Sequence, residues 1–423
     1  MTSSLFSLLF LAAVVASFLL HAGLSWRQLR HVRAHRAALP VAFAQQITLT
    51  EHHKAADYSC AKARLAIVEQ CIHTLFLLAL TLGGGVQAIV DACMHVLPAQ
   101  DYLYGLALVA AVMVLGFLVD LPLDLYRTFV LEARYGFNTL TARLYLADLC
   151  RQAVLSVLIG APLLLAILWL MTQMGALWWL WVWLFWMGFN LLAVLLYPTL
   201  IAPLFNTFRP LEDSLLKARI EALLARCGFR ASGLFVMDGS KRSTHGNAYF
   251  TGFGQARRIV FYDTLLERLT PPQIDAVLAH ELGHYHHRHV WRRLMALALL
   301  TLLFFAALGG LIDAPWFYGG LGVVAPQFAP MSAGGTALAL LLFFLVVPSF
   351  TFLLSPALAQ LSRRHEYQAD TYAAAQTNAQ DMVSALVRLY RDNAATLTPD
   401  PWHSLFHDSH PPAALRVAHL NTL

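Results

Sequence analysis

The chain is 423 residues long, 58% hydrophobic and only 13% charged, with a formal net charge of +5. Soluble globular domains carry roughly 25% charged residues, so this composition excludes an ordinary soluble protein and points to an integral membrane protein. The positive excess falls in loops between apolar segments, which removes the case for a nucleic-acid partner and makes the lipid bilayer the expected environment.

Seven stretches reach the length of about 17–25 apolar residues that a helix needs to cross a bilayer. They lie at roughly 5 to 24, 66 to 94, 103 to 126, 152 to 173, 177 to 201, 291 to 313 and 334 to 358. Ahead of the first, Met1-Thr2-Ser3-Ser4 has no basic residue, and arginines follow the apolar run instead. That order predicts an uncleaved helix rather than a signal peptide. The loop after it carries Arg27, Arg30, Arg33, Arg36, Lys54, Lys62 and Arg64, whereas the connectors near 98–102, near Gly175 and over 314–333 carry no Lys or Arg. Threading seven helices with the amino terminus outside therefore puts all 29 Lys and Arg on the cytoplasmic side or at its membrane border. Trp178, Trp179, Trp181 and Trp183 then fall at the outer interface, where aromatic belts form. Glu69 with His73, and Asp120 with Asp124, are i, i+4 pairs in or beside apolar segments. Such groups are costly in lipid, and the sequence leaves open whether they face water or only each other. Five cysteines include no C-x-x-C pair, so neither a disulfide framework nor a cysteine metal site is indicated.

After the fifth span, 212–227 reads as a helix, Gly233 to Met237 and Arg258 to Tyr262 as strands, and Asn247 to Gly254 as an extended edge segment. Thr270-Pro271-Pro272-Gln273 is a helix start, with Thr270 as cap, proline at the first helical position and Gln273 closing a capping box. The helix it opens carries His280-Glu281-Leu282-Gly283-His284, an H-E-x-x-H zinc-peptidase signature. The i, i+4 spacing puts both imidazoles on one face for a single Zn²⁺, with Glu281 beside it as general base. A catalytic zinc needs a third protein ligand, and the candidate is Glu366, just after the seventh span. Asp370 lies one turn further on the same face, placed to accept from a ligand histidine or to hold a nearby arginine. His286, His287 and His289 are read as juxtamembrane polar residues rather than a second metal site.

These residues together resemble the zinc-dependent integral-membrane CAAX prenyl proteases of the gluzincin type. The resemblance rests on Ile47 to His52 with Lys54 to Tyr58, on Glu132 to Asn138, on Ser240 to Ser243 with His245 to Phe250, on His280 to His284 with Glu366 to Asp370, and on Ser409-His410-Pro411-Pro412 with Arg416. It implies a mainly α, polytopic fold in which seven helices surround an intramembrane chamber capped by a cytoplasmic α+β zinc-protease domain. The expected division is an amino-terminal membrane region at 1–201, a first part of the protease domain at 202–289, helices six and seven at 290–358, and a second part of the domain at 359–423. It further implies that Asn247, Ala248 and Tyr249 bind substrate as an added β-strand, that His410 donates to the oxyanion, and that Arg416 orients the cluster. Gly246 stands where serine is usual in that family.

The expected activity is a zinc-dependent endopeptidase acting on a peptide or protein substrate, with removal of the last three residues of a prenylated carboxy-terminal CAAX sequence as the implied reaction. An Ala- and Leu-rich composition with few lysines points to a bacterial inner membrane, where a quality-control protease without prenylated substrates is the alternative; in a eukaryote the location would be the endoplasmic reticulum. A channel or transporter with non-catalytic zinc is the rival of another class. Glu281 between two ligands would then have no purpose.

Overall fold

The computed structural model describes residues 1–98, 101–251, 258–324 and 331–423. Among them, seven helices are long and apolar enough to cross a membrane: α1 (Ser3–Ala34), α2 (Leu49–Leu80), α3 (Tyr102–Tyr135), α4 (Ala142–Gln173), α5 (Gly175–Phe205), α8 (His289–Leu311) and α9 (Ala333–Gln376). Between α5 and α8 lie α6 (Ser214–Arg226), α7 (Pro271–His286) and four short strands, and after α9 come α10 (Ala379–Asp392) and α11 (Ala413–Leu420). The protein is thus a multi-pass membrane protein with a small α+β unit outside the apolar bundle.

Several helices overrun their apolar stretches. The apolar region 66–94 is not one helix. α2 ends at Leu80, Gly84 takes a left-handed φ of 77°, and Gly85–Met94 forms a separate short helix. Glycine adopts that conformation without steric cost, so a run of three glycines breaks a helix that hydropathy alone joins. At the other extreme, α9 continues as a polar helix for almost five turns beyond 358, and this extension carries Glu366 and Asp370.

The polar residues of the spans face cavities and also pair. Glu69 accepts from Arg127 at 2.5 Å, His73 Nε2 lies 2.7 Å from Asp120, and Tyr145 donates to Asp124 at 2.7 Å. One cavity of 780 Å³ includes all six of these residues in its wall. A second, of 760 Å³, shares Glu69 and Arg127 with it and extends to His245 and His410. Together they form a chamber, studded with these charged and polar side chains, that leads from between the helices toward the outer domain.

In that domain β1 (Phe208–Pro210), β2 (Gly233–Met237), β4 (Arg258–Tyr262) and β3 (Ala248–Thr251) lie side by side in that order. β2 and β4 run parallel and the other pairs antiparallel, which leaves β3 at the edge. Ile259 and Phe261 of β4 bury their side chains in one core with Ile274, Leu278 and Leu282 of α7 and Leu386 of α10. This packing fixes α7 against the sheet and turns its opposite face to α9. Gly252, Phe253 and Gly254 of the expected extended segment lie outside the described residues.

Candidate active site

α7 begins as its sequence requires, with Thr270 as N-cap of a capping box in which Gln273 Oε1 accepts from the Thr270 backbone N–H at 3.0 Å. Three turns on, His280 and His284 lie on one face with their Nε2 atoms 3.2 Å apart. Glu366 reaches across from α9, with Oε1 3.3 Å from His284 Nε2 and Oε2 3.5 Å from His280 Nε2. Ligands about 2.0–2.1 Å from a tetrahedral cation are separated from each other by about 3.3–3.4 Å. The three side chains thus stand at the spacing a small transition-metal ion imposes. Glu366 is only 1% exposed, and among the described residues its Oε2 accepts no hydrogen bond, the Arg416 guanidinium standing off at 3.9 Å. A buried carboxylate oxygen in that condition is costly unless a cation satisfies it, so the donor set fits a metal.

The far nitrogen of each histidine has a different partner. His280 Nδ1 lies 2.9 Å from Asp370 Oδ1, and Asp370, fully buried, is gripped by Arg416 through Nε at 2.8 Å and Nη2 at 2.5 Å. Burial by itself would lower the His280 imidazole, but the carboxylates of Asp370 and Glu366 outweigh it and hold the ring up at about 9. These anions favour positive charge at the ring, be it a proton or a neighbouring cation. His284 Nδ1 instead meets His289 Nδ1 at 2.9 Å, and His289 Nε2 meets Gln368 Oε1 at 2.8 Å. His289 opens the α8 span at the membrane border and is 1% exposed because it also packs against the site. Its position five residues after His284 was the only signal for it, and an uninterrupted helix would have turned it away.

Burial pushes the Glu281 carboxyl up, opposed by His280 and His284. His410 precedes α11 and turns its Nε2 toward Glu366 Oε2 at 3.5 Å, while Nδ1 lies 3.0 Å from Ser409 Oγ. Gly246, Asn247, Ala248, His280, Glu281, His410 and Arg416 share one small cavity of 130 Å³. A Cβ on Gly246 would come no closer than 3.4 Å to Leu265, so a serine has room there.

The edge strand lies along this cavity. The Tyr262 backbone N–H donates to Asn247 C=O at 3.0 Å, and Tyr249 is paired with Val260. Alternation in an antiparallel ladder then turns the backbone groups of Ala248 and Phe250 to the open edge. The Ala248 N–H is taken by its neighbour's side chain, Asn247 Oδ1, at 2.8 Å. The Tyr249 ring is directed elsewhere and meets Tyr262 edge-on, with centroids 6.3 Å apart. The structure therefore brings His280, Glu281, His284, Glu366, Asp370, His410, Arg416, Asn247 and Ala248 together, and leaves the Tyr249 side chain out.

Residues 28–207 match the family model for the CAAX prenyl protease amino-terminal region with five membrane helices, and 210–423 match that of peptidase family M48. CAAX prenyl protease 1 of Saccharomyces cerevisiae is 34% identical over 430 residues, covering 96% of this chain and 93% of that protein. A CAAX prenyl protease 1 homolog of Oryza sativa is 37% identical over 322 residues, 76% of this chain and 74% of that protein. The crystal structure of S. mikatae Ste24p superposes with a TM-score of 0.89 at 32% identity, over 98% of this chain and 99% of that one. These relatives are a plant and two yeasts, and they do not bear out the expectation of a bacterial source.

Proposed function

This chain belongs to the CAAX prenyl protease 1 family of membrane-embedded M48 metallopeptidases, and from that premise we propose a catalytic centre in which Zn²⁺ is held by His280, His284 and Glu366. The protein is a metalloendopeptidase whose substrates are peptides or proteins. The convergence of these three side chains at metal-ligand spacing carries the assignment. When bound, the ion would polarise the scissile carbonyl and bring the pKa of a water down to about 7.

The chain's own residues do the rest. Glu281 takes the proton of the attacking water and returns it to the departing amine, a task suited by a carboxyl that burial has raised. His410 Nε2 donates to the oxyanion of the tetrahedral intermediate. Asp370, itself held by Arg416, accepts the His280 Nδ1–H and so keeps Nε2 directed at the centre. Substrate adds as a strand on β3, using the open C=O of Ala248 and the backbone groups of Phe250, while Asn247 Oδ1 holds the Ala248 N–H and braces the start of the strand. Main-chain pairing fixes the scissile bond while tolerating varied side chains.

On this reading residues 1–201 form the amino-terminal membrane region, and the catalytic domain is built from 202–289 and 359–423 around the membrane segment 290–358. It faces the cytoplasm, a reading supported by the one-sided placement of Lys and Arg. The eukaryotic relatives favour the endoplasmic reticulum membrane. The substrate is a prenylated carboxy-terminal CAAX sequence, from which the last three residues are removed; the names of the relatives and the chamber reaching His410 support it. A channel reading leaves Glu281 and His410 without a task.

The test is cleavage of a farnesylated CAAX peptide and of its unprenylated counterpart by wild type and Glu281→Gln, with zinc content measured on both proteins. Cleavage of the farnesylated peptide, lost in the variant at equal zinc, is the expected result. No cleavage of either peptide by the zinc-loaded wild type would remove the CAAX assignment.

A further inference from the structure

We propose that His289 and Gln368 are positioning residues that set the tautomer of His284, and hence which of its nitrogens is offered to a metal ion. The inference rests on the reading above of His284 as a ligand. Nothing in the H-E-x-x-H pattern requires a partner for the second histidine, and the partner found is not the carboxylate that serves His280.

Both ends of the array fix the same hydrogen-bond polarity. His284 Nε2 faces His280 Nε2 and Glu366, so in a neutral ring serving as ligand the proton must sit on Nδ1. That Nδ1–H lies 2.9 Å from His289 Nδ1, which must therefore accept. An accepting Nδ1 places the His289 proton on Nε2, and a donor there needs an acceptor. Gln368 Oε1 supplies it at 2.8 Å. Read from the other side, a glutamine carbonyl at His289 Nε2 makes Nδ1 the acceptor, which makes His284 Nδ1 the donor. Two hydrogen bonds thus carry one polarity over three residues from α9 to α7 and the start of α8.

Two features hold the array in place. Arg288 takes a left-handed φ of 55°, ending α7 and swinging His289 back beside His284. The His289 ring then stacks on that of His365, with centroids 4.0 Å apart and planes 15° from parallel. Both rings are buried, so His289 has little freedom to turn over. Gln368 is exposed, and its side chain can be replaced without opening the core. Partners of this kind on metal-binding histidines typically contribute about 10–100-fold to metal affinity.

The experiment measures zinc affinity of the full-length protein in detergent by competition with a chromophoric chelator. Gln368→Glu keeps an acceptor opposite His289 Nε2, and binding within about threefold of wild type is expected. Gln368→Lys presents a donor in the same place and sets two donors against each other along the array; with Gln368→Met and His289→Phe, it should weaken binding about 10–100-fold. Glu and Lys also differ in charge, so the neutral Gln368→Met, which removes the acceptor without adding charge, separates loss of the relay from simple electrostatics. Equal affinity for Gln368→Glu and Gln368→Lys, or wild-type affinity for Gln368→Met, overturns the proposal. His284→Ala separates the two levels: loss of zinc there while the Gln368 variants bind like wild type removes the relay alone, whereas retention of zinc by His284→Ala removes the ligand assignment beneath it. Should His289→Phe fail to fold, the three Gln368 variants decide the matter.

Discussion

Gly283 lies against Ala369 so closely that a Cβ on the glycine would sit 2.9 Å from the Ala369 Cα and 3.1 Å from its carbonyl oxygen. The glycine of the H-E-L-G-H run is thus the point where α7 and α9 touch, and the contact sets how far Glu366 must reach. Because the obstruction is backbone, Gly283→Ala can be accommodated only by parting the helices. We expect a loss of about 1–3 kcal/mol of stability from overpacking, together with weaker zinc binding. Thermal unfolding in detergent and chelator competition measure the two; a variant matching wild type in both would show that the approach of the helices is not what builds the site.

Asp370 and Arg416 are both buried and joined by two hydrogen bonds. Breaking a buried pair from one side leaves an uncompensated charge, so Asp370→Asn should cost about 3–5 kcal/mol. It should also reduce zinc occupancy, since His280 loses the acceptor for its Nδ1–H. Adding Arg416→Met removes the stranded charge and should recover much of the stability without recovering the zinc. If the double variant regains both, Asp370 acts on the fold and not on His280.

His410 stands at the rim of the site and is no part of its packing, its side chain being 60% exposed. His410→Ala should therefore leave zinc content and melting temperature unchanged while lowering kcat by about 10²–10³-fold, the usual effect of removing one oxyanion donor. The change should fall on kcat with KM little altered. A loss confined to KM would reassign this histidine to substrate binding.

Asp400 caps the short helix Pro401–His407 through the backbone N–H of Trp402 and His403, and Arg27 of α1 pairs with it at 3.1 Å. Burial pushes its carboxyl up, but the His403 N–H and the Arg27 guanidinium outweigh that and hold it below the usual range. A carboxyl depressed by folding stabilises the protein at neutral pH, and that contribution disappears as pH falls through its folded pKa. Asp400→Asn keeps the cap and loses the charge, so it should be less stable than wild type by about 1 kcal/mol at pH 7. The difference should shrink between pH 7 and an acidic pH below the ordinary carboxylate range, closing only once the carboxyl is protonated in the folded state. Unfolding curves at the two pH values check this, and a pH-independent difference would assign the effect to packing.

Much of this protein was written locally. Apolar length set the seven helices, because a bilayer demands about 20 residues of hydrocarbon-compatible helix whatever surrounds it. The capping box at Thr270 and the four-residue spacing of His280 and His284 fixed a helix with two imidazoles on one face, since both follow from helical geometry within a few residues. Glu366 and Asp370 could be singled out by the same spacing. What neighbouring residues could not decide was contact across long separations and at breaks in regular structure. The apolar run 66–94 concealed the stop at Leu80, because hydropathy does not register the left-handed turn at Gly84. His289 follows His284 by five residues, about 140° round an unbroken helix, and only the left-handed Arg288 returns it to the imidazole it meets. The meeting of Gly283 with Ala369, and of Asp370 with Arg416, joins residues 86 and 46 positions apart. Those contacts exist only once the α7, α9 and α11 faces have packed, because it is burial of their shared core, and no local preference, that brings them together.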